Sequence, residues 1–381
     1  MKKKVLIITA GIFTILSGYG QSSNDVLQLL TQKNVVTQQE ADSIRADASI
    51  KQQETDAKKK SFPVTAGKGL LISGFTQVRY QFLEQAGKVN GFDIRRARLD
   101  FKSNISSYWG YKVQVELAGT PKLLEAYGEL KLNDYLNFTL GQFKVPYSLE
   151  GLTSTPKLEF IDGSQVVDAL TGRKADVISA TTDQQGYDIG LQAGGSFFKI
   201  KDLPLIEYKV GIFNGTGPNI SDNLKEKDVV GRLVFHPIKG IDFGGFAYKG
   251  YAFYNTKSSK TTVDAVHDRN RYGVELSGEY KGATLRTEFI EGKDGNKLRN
   301  GYYVSAGYFI LPQQLQVLAK LDNYDPNIDK AVTKDNLTNY TGVINYYFNP
   351  NTRIQLGYTV KKEQAKEIKN NQIVVQFQLG F

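Results

Sequence analysis

From Leu70 to the last residue, apolar and polar positions alternate with a period of two. Val78, Tyr80 and Phe82 interleave with Gln77, Arg79 and Gln81, and Trp109, Tyr111, Val113 and Val115 with Gly110, Lys112, Gln114 and Glu116. Ile354, Leu356, Tyr358 and Val360 interleave with Arg353, Gln355, Thr359 and Lys361. Strands of this pattern have one apolar and one polar face. Sixteen such segments can be counted, beginning near residues 70, 92, 108, 123, 136, 187, 205, 228, 240, 271, 283, 301, 315, 338, 353 and 371. Most run about 9–12 residues, the length a tilted strand needs to cross a bilayer.

The connections between segments alternate in length. Short turns are expected at Asn133-Asp134-Tyr135, His236-Pro237-Ile238-Lys239, Lys281-Gly282, Leu311-Pro312-Gln313-Gln314 and Asn349-Pro350-Asn351-Thr352. Longer loops are expected near residues 83–91, 214–227, 251–268, 291–300, 325–337 and 362–370. Short turns on one rim and long loops on the other describe an all-β fold, a 16-stranded antiparallel transmembrane β-barrel. In hydrocarbon every backbone group needs a partner, so a sheet can cross only by closing on itself. Its polar faces then line a lumen that sixteen strands leave too wide for side chains to fill. A water-filled diffusion channel is the expected result.

The first residues read differently. Lys2-Lys3-Lys4 precede an apolar run from Val5 to Leu16 and then Ser17-Gly18-Tyr19-Gly20, the pattern of a cleaved secretory signal peptide over residues 1–20. Residues 21–66 predict a short helical or coil segment and linker on the periplasmic side. Val26, Leu27, Leu29 and Leu30 cluster at helical spacing, and Thr37-Gln38-Gln39-Glu40 fits a capping box. The segment could be a solvated helical hairpin or an oligomerising or plug element. The barrel is expected over residues 67–381.

Composition narrows the chemistry. The net charge is +9, and cleavage after Gly20 would remove three Lys and no acid, leaving +6. That is too mild to imply nucleic acid. With no Cys and only His236 and His267, thiol catalysis, zinc sites and histidine relays lack their residues, so neither an enzyme nor a cofactor is expected. A mean hydropathy of −0.35 argues against a bundle of membrane helices.

Several strings, in this order, resemble the phosphate-selective porin O and P family. They are Phe92-Asp93-Ile94-Arg95-Arg96-Ala97-Arg98-Leu99, Gly141-Gln142-Phe143-Lys144-Val145-Pro146, Phe213-Asn214-Gly215-Thr216-Gly217 with Val230-Gly231-Arg232-Leu233, and Glu291-Gly292-Lys293. The resemblance implies a sixteen-stranded outer-membrane porin, a homotrimer set in outer-membrane lipids, whose third long loop folds inward. The connection from Tyr147 to Gln185 has the position for that role. It also implies that assembly machinery recognises the last strand, where Ile373, Val375, Phe377 and Leu379 lead to Phe381. Family members often carry an acidic-Arg-Ser string in the inward loop. Here Asp162-Gly163-Ser164 has Gly in place of the base.

Phosphate selectivity needs a ladder of Arg and Lys, because guanidinium groups bind phosphate oxygens in pairs. Alternation assigns Arg79, Arg96, Arg98, Lys102, Lys112, Lys131, Lys209, Arg232, Arg271, Arg286, Lys320, Arg353 and Lys361 to the lumen. It places Asp100, Glu116, Glu125, Glu129, Glu207, Glu275, Glu279, Glu288 and Asp322 there too. The candidates for attracting anions are Arg79, Arg96, Arg98, Lys102, Lys112, Lys144, Arg232 and Arg286. Lys144 is included although it falls out of register with Phe138 and Leu140, and Arg95 is expected to snorkel to the rim. A lining of mixed sign selects ions weakly. The expected function is therefore passage of small hydrophilic solutes, anionic or neutral, with a mild anion and conceivable phosphate preference. The competing reading is a non-conducting structural or adhesive barrel.

Overall fold

The computed structural model describes residues 31–33, 35, 64–66, 69–172, 186–200, 203–222, 224–255, 264–328 and 335–381. The expected signal peptide and nearly all of the expected N-terminal helical segment lie outside the described residues. Two units divide the chain, Met1–Ser61 and Phe62–Phe381. The second holds every strand described here: β1 (Val64–Ala66), β2 (Leu70–Leu83), β3 (Gly91–Asn104), β4 (Trp109–Glu116), β5 (Lys122–Lys131), β6 (Asn137–Lys144), β7 (Tyr187–Ile200), β8 (Leu203–Phe213), β9 (Asp228–Ile238), β10 (Ile241–Asn255), β11 (Asp264–Tyr280), β12 (Ala283–Asp294), β13 (Lys297–Leu311), β14 (Leu315–Asp325), β15 (Leu337–Asn349), β16 (Thr352–Glu363) and β17 (Gln372–Gly380).

Strands β2 to β17 each pair antiparallel with the next, and β17 pairs with β2, so sixteen strands close into one barrel. Strand β1 is additional. It pairs with the start of β2, Val64 opposite Ile72, while Phe381 exchanges both backbone bonds with Gly74 at 3.0–3.1 Å. The first described strand thus takes over the edge of β2 where the last strand ends.

Most expected strand starts lie within two residues of those observed, and two differ more. Strand β11 begins at Asp264 rather than near 271, and β13 at Lys297 rather than near 301. The loop expected over 291–300 is a hairpin in which Asp294 pairs with Lys297 across Gly295-Asn296. Such turn residues suit a two-residue hairpin loop. The extended strands are held by a buried ion cluster: Asp294 lies 2.8 Å from Arg271, pairs closely with Arg299, and lies 3.9 Å from Arg269.

The outer face is apolar. Trp109, Tyr302, Tyr308, Tyr346 and Tyr358 are exposed on it, the first, third and fourth within four residues of the short-turn rim. Amphipathic rings favour that level because one end stays wet. Trp109 is the sole tryptophan, so bilayer depth can be read from its emission. Lipids brominated near the headgroup should quench it more than lipids brominated at the chain ends. The reverse order would place the strand registers wrongly in the membrane.

The inner face departs from simple alternation. Phe213, Val230, Phe246, Tyr248, Ile290, Tyr303 and Tyr324 point inward and form one buried cluster with Val145, Tyr147, Val166, Val167 and Leu170 from the β6–β7 connection. Part of the inner wall of β8–β14 is apolar, and the loop packs on that part.

Candidate functional site

The described part of the β6–β7 connection, residues 145–172, folds into the barrel. It carries helix α1 (Leu149–Leu152), a 3₁₀ turn (Thr155–Lys157) and helix α2 (Gln165–Leu170). Helices this short are unstable alone. Both are instead held at each end by groups outside the helix itself. Glu288 on β12 accepts bonds from Leu149 N at 2.7 Å, Glu150 N at 2.9 Å and Ser148 Oγ at 3.3 Å, and Tyr303 donates to it at 2.9 Å. At the other end of α1, Lys144 Nζ donates to the carbonyls of Gly151, Leu152 and Thr153 at 2.8–3.4 Å.

Helix α2 repeats the scheme. Asp322 Oδ2 on β14 accepts from Gln165 N at 2.8 Å. Leu170 O accepts from Arg271 Nε at 3.0 Å and from the Tyr147 hydroxyl at 3.2 Å. Burial pushes the Tyr147 phenol up to about 12, so it remains a neutral donor. Anions at the amino end and cations at the carboxyl end complement the helix dipole and satisfy its orphan groups. Val166, Val167 and Leu170 then bury against the apolar wall, each contributing about 1.5–3 kcal/mol. Gly301 makes this approach possible, since a Cβ there would stand 2.8 Å from Val166 Cβ.

Between the helices, residues 156–159 cross a row of side-chain amides on β14–β17 and β2. Gln316 donates to Glu159 Oε1 at 2.8 Å, Gln355 and Asn345 donate to Glu159 O at 3.0–3.1 Å, and Gln378 donates to Pro156 O at 3.3 Å. Neighbouring amides bond one another, Gln376 to Gln355 and Gln77 to Gln378, both at 2.8 Å. Arg353 donates to Leu158 O at 2.7 Å. The sequence marks these positions as polar and inward, but nothing in it says they receive a loop.

The candidate cations are placed as follows. Arg98 is buried 2.7 Å from Glu116 and donates to Thr155 of the loop. Arg96 donates to Gln77 at 2.9 Å. Lys112 sits between Asp100, at 3.1 Å, and Glu125. Arg232 pairs with Glu275, and Arg286 with Glu279 at 2.9 Å and Glu159 of the loop at 3.3 Å. Lys102 is exposed and has no ion-pair partner among the described residues. Phe143 joins the interior cluster, and Lys144 beside it also turns inward, toward α1.

Arg79 lies 2.7 Å from Asp93 and 3.8 Å from Asp162 of the loop. Arg95 corrects the expectation of a rim position: it points inward, 2.8 Å from Asp162. The reason is a β-bulge, because Gln77 pairs with Arg96 while Val78 pairs with Ile94, leaving Arg95 as the extra residue. Consecutive arginines on β3 can therefore both avoid the lipid side. Asp162 occupies the place between the wall arginines Arg79 and Arg95, so the base that Gly163 lacks is supplied by the strands.

The loop thus narrows the lumen. A cavity of about 460 Å³ opens on the long-loop side, lined by Arg79, Arg95, Asp162, Asp168, Lys320, Asp322 and Lys361 among others. A second, of about 630 Å³, opens on the short-turn side, lined by Lys102, Glu129, Lys131, Glu207 and Lys209 among others. Beside Asp162, a gap of about 20 Å³ borders Glu150, Glu159, Gly163 and Arg286.

The closed barrel with an inward third long loop can be set against known proteins. No curated protein matches the sequence. Among solved structures, the anion-selective porin from Comamonas acidovorans superposes with a TM-score of 0.61 at 14% identity, covering 82% of this chain and 99% of its own. The outer membrane channel DcaP of Acinetobacter baumannii gives 0.58 at 12% identity, covering 84% and 100%. In-vitro folded OmpT of Vibrio cholerae, in its trimer form, gives 0.59 at 11% identity, covering 82% and 99%. Likenesses this remote show a shared fold. The model of the family described as phosphate-selective porin O and P matches residues 68–265 and 276–381. With that match over most of the chain, and the barrel and inward loop that the resemblance implied, this chain belongs to the phosphate-selective porin O and P family.

Proposed function

We propose that this chain forms an outer-membrane channel for small hydrophilic solutes, with a weak preference for anions. The observation that carries it is the loop held inside a closed barrel, with a charged, solvent-open cavity on either side. A structural or adhesive barrel would not need a lumen narrowed by a loop anchored at both ends of two helices. Catalysis finds no support, since His236 and His267 lie on different strands and His236 pairs with Asp242 at a short turn.

The selectivity reading rests on local charge. Around the cavity on the long-loop side stand Arg79, Arg95, Lys320 and Lys361 against Asp162, Asp168 and Asp322. A one-charge excess in a mixed lining supports a weak preference. Phosphate discrimination is a finer reading, with little local chemistry behind it, because Arg79, Arg98, Arg232 and Arg286 are already engaged by carboxylates. The same reading includes export by a cleaved signal peptide, an N-terminal periplasmic segment, assembly through Phe381 and a homotrimer in outer-membrane lipids. Support for the trimer is that one structural neighbour is described in a trimer form. In a tenfold KCl gradient the reversal potential should lie modestly on the anion side, and native gels should show a species three times the chain mass. A cation-side potential would reject the anion preference.

A further inference from the structure

We propose that the cavity on the long-loop side is a binding subsite for small zwitterions, namely di- and tripeptides. The proposal rests on the channel reading above and names a solute class for the same lumen. Its basis is the order of inward side chains around the wall. Asp322 on β14 is in register with Asn339 on β15, which is in register with Lys361 on β16. An acid, an amide and a base therefore stand side by side, the outer two separated by two strand spacings, roughly 10 Å.

The acidic pole has unused capacity. Asp322 is 1% exposed, and its Oδ2 holds the amino end of α2. Its Oδ1 is buried without a hydrogen-bond partner among the described residues. Asp168 lines the same cavity from α2. A buried carboxylate oxygen calls for a donor, and an ammonium group supplies three. At the other pole, Lys361 Nζ sits 3.1 Å from Gln372 Oε1, with Arg79 and Arg95 farther round the wall. Asn339, Thr341 and Thr359 lie between as neutral donors and acceptors.

A simple anion drawn to Lys361 meets the two carboxylates, and a simple cation drawn to Asp322 meets Lys320 and Lys361. Only a solute carrying both charges satisfies both poles. An extended chain spans about 3.3–3.6 Å per residue, so two or three residues bridge roughly 7–10 Å. A volume of about 460 Å³ admits a solute of that size.

Proteoliposomes containing the full chain test this by comparing uptake of glycylglycine with that of arabinose, a neutral solute of similar size. The wild type should take up glycylglycine several-fold faster. Lys361→Gln and Asp168→Asn should each bring the ratio to about one while leaving arabinose uptake unchanged. Asp322→Asn keeps an acceptor for Gln165 and should lower the ratio too, read together with arabinose uptake because Asp322 also anchors α2. Equal uptake by the wild type, or a ratio untouched by Lys361→Gln and Asp168→Asn, overturns the subsite while the channel stands. Uptake of neither solute overturns the channel itself.

Discussion

Replacing Glu288 with Ala should raise the single-channel conductance several-fold. This carboxylate holds the amino end of α1 through two backbone amides and Ser148, and it also receives the Tyr303 hydroxyl. Each buried donor left without an acceptor costs about 1–3 kcal/mol, and alanine leaves several at once. Both first-turn amides of α1 lose the carboxylate that accepts from them, so α1 should leave the wall and the lumen should widen. Glu288→Gln keeps the side-chain shape and one acceptor, and should fall between the two. Conductance unchanged by alanine, with the barrel still heat-modifiable on gels, would show that the loop does not limit flow.

Replacing Arg79 and Arg95 together with Gln should move the reversal potential toward cations more than any other pair on the wall. Both arginines face Asp162, and Arg79 also faces Asp93. Glutamine keeps polarity but leaves two carboxylates uncompensated at the narrowing. Asp162→Asn alone should move the potential the opposite way. Both shifts should shrink near 1 M salt, where the Debye length is about 3 Å. Arg96→Gln with Arg98→Gln should behave differently. Arg98 and Glu116 form a buried pair, each side chain 9% exposed, and removing one partner of a buried pair is strongly destabilising. Lower thermal stability with little change in selectivity is expected from that pair of substitutions.

The barrel was legible because lipid enforces alternation. One-residue errors would turn a whole strand's apolar face inward, so segments such as those starting at 187, 228, 283 and 315 announce themselves. The signal fails where strands rise beyond the apolar belt. Residues 264–270, 291–294 and 297–300 read as polar loops, yet they are strands, because Arg269, Arg271 and Arg299 gather on Asp294. Bulges fail too, since a single extra residue at Arg95 reverses the face on which it is read. The inner apolar cluster was hinted at by β10, whose Phe243 and Phe246 stand on opposite faces. Strands apolar on both faces are buried on both, and here the second cover is the loop.

The anchors of that loop were the least legible part. Glu288, Asp322 and Lys320 could be assigned to the lumen from alternation. Their partners, however, lie up to 158 residues away in the chain, as with Lys320 and Asp162. A short polar segment such as Asp162-Gly163-Ser164 carries no periodic signal saying which wall it meets. Gly163 looked like a missing cation, although the cations stand on β2 and β3.

The most direct test is a planar-bilayer recording of the purified full chain. A channel narrowed by an anchored internal loop predicts discrete conductance steps, modestly anion-favouring, that grow several-fold when Glu288 becomes Ala. A folded barrel that inserts but passes no current, with Glu288 intact or replaced, would contradict the account and leave a structural outer-membrane barrel in its place.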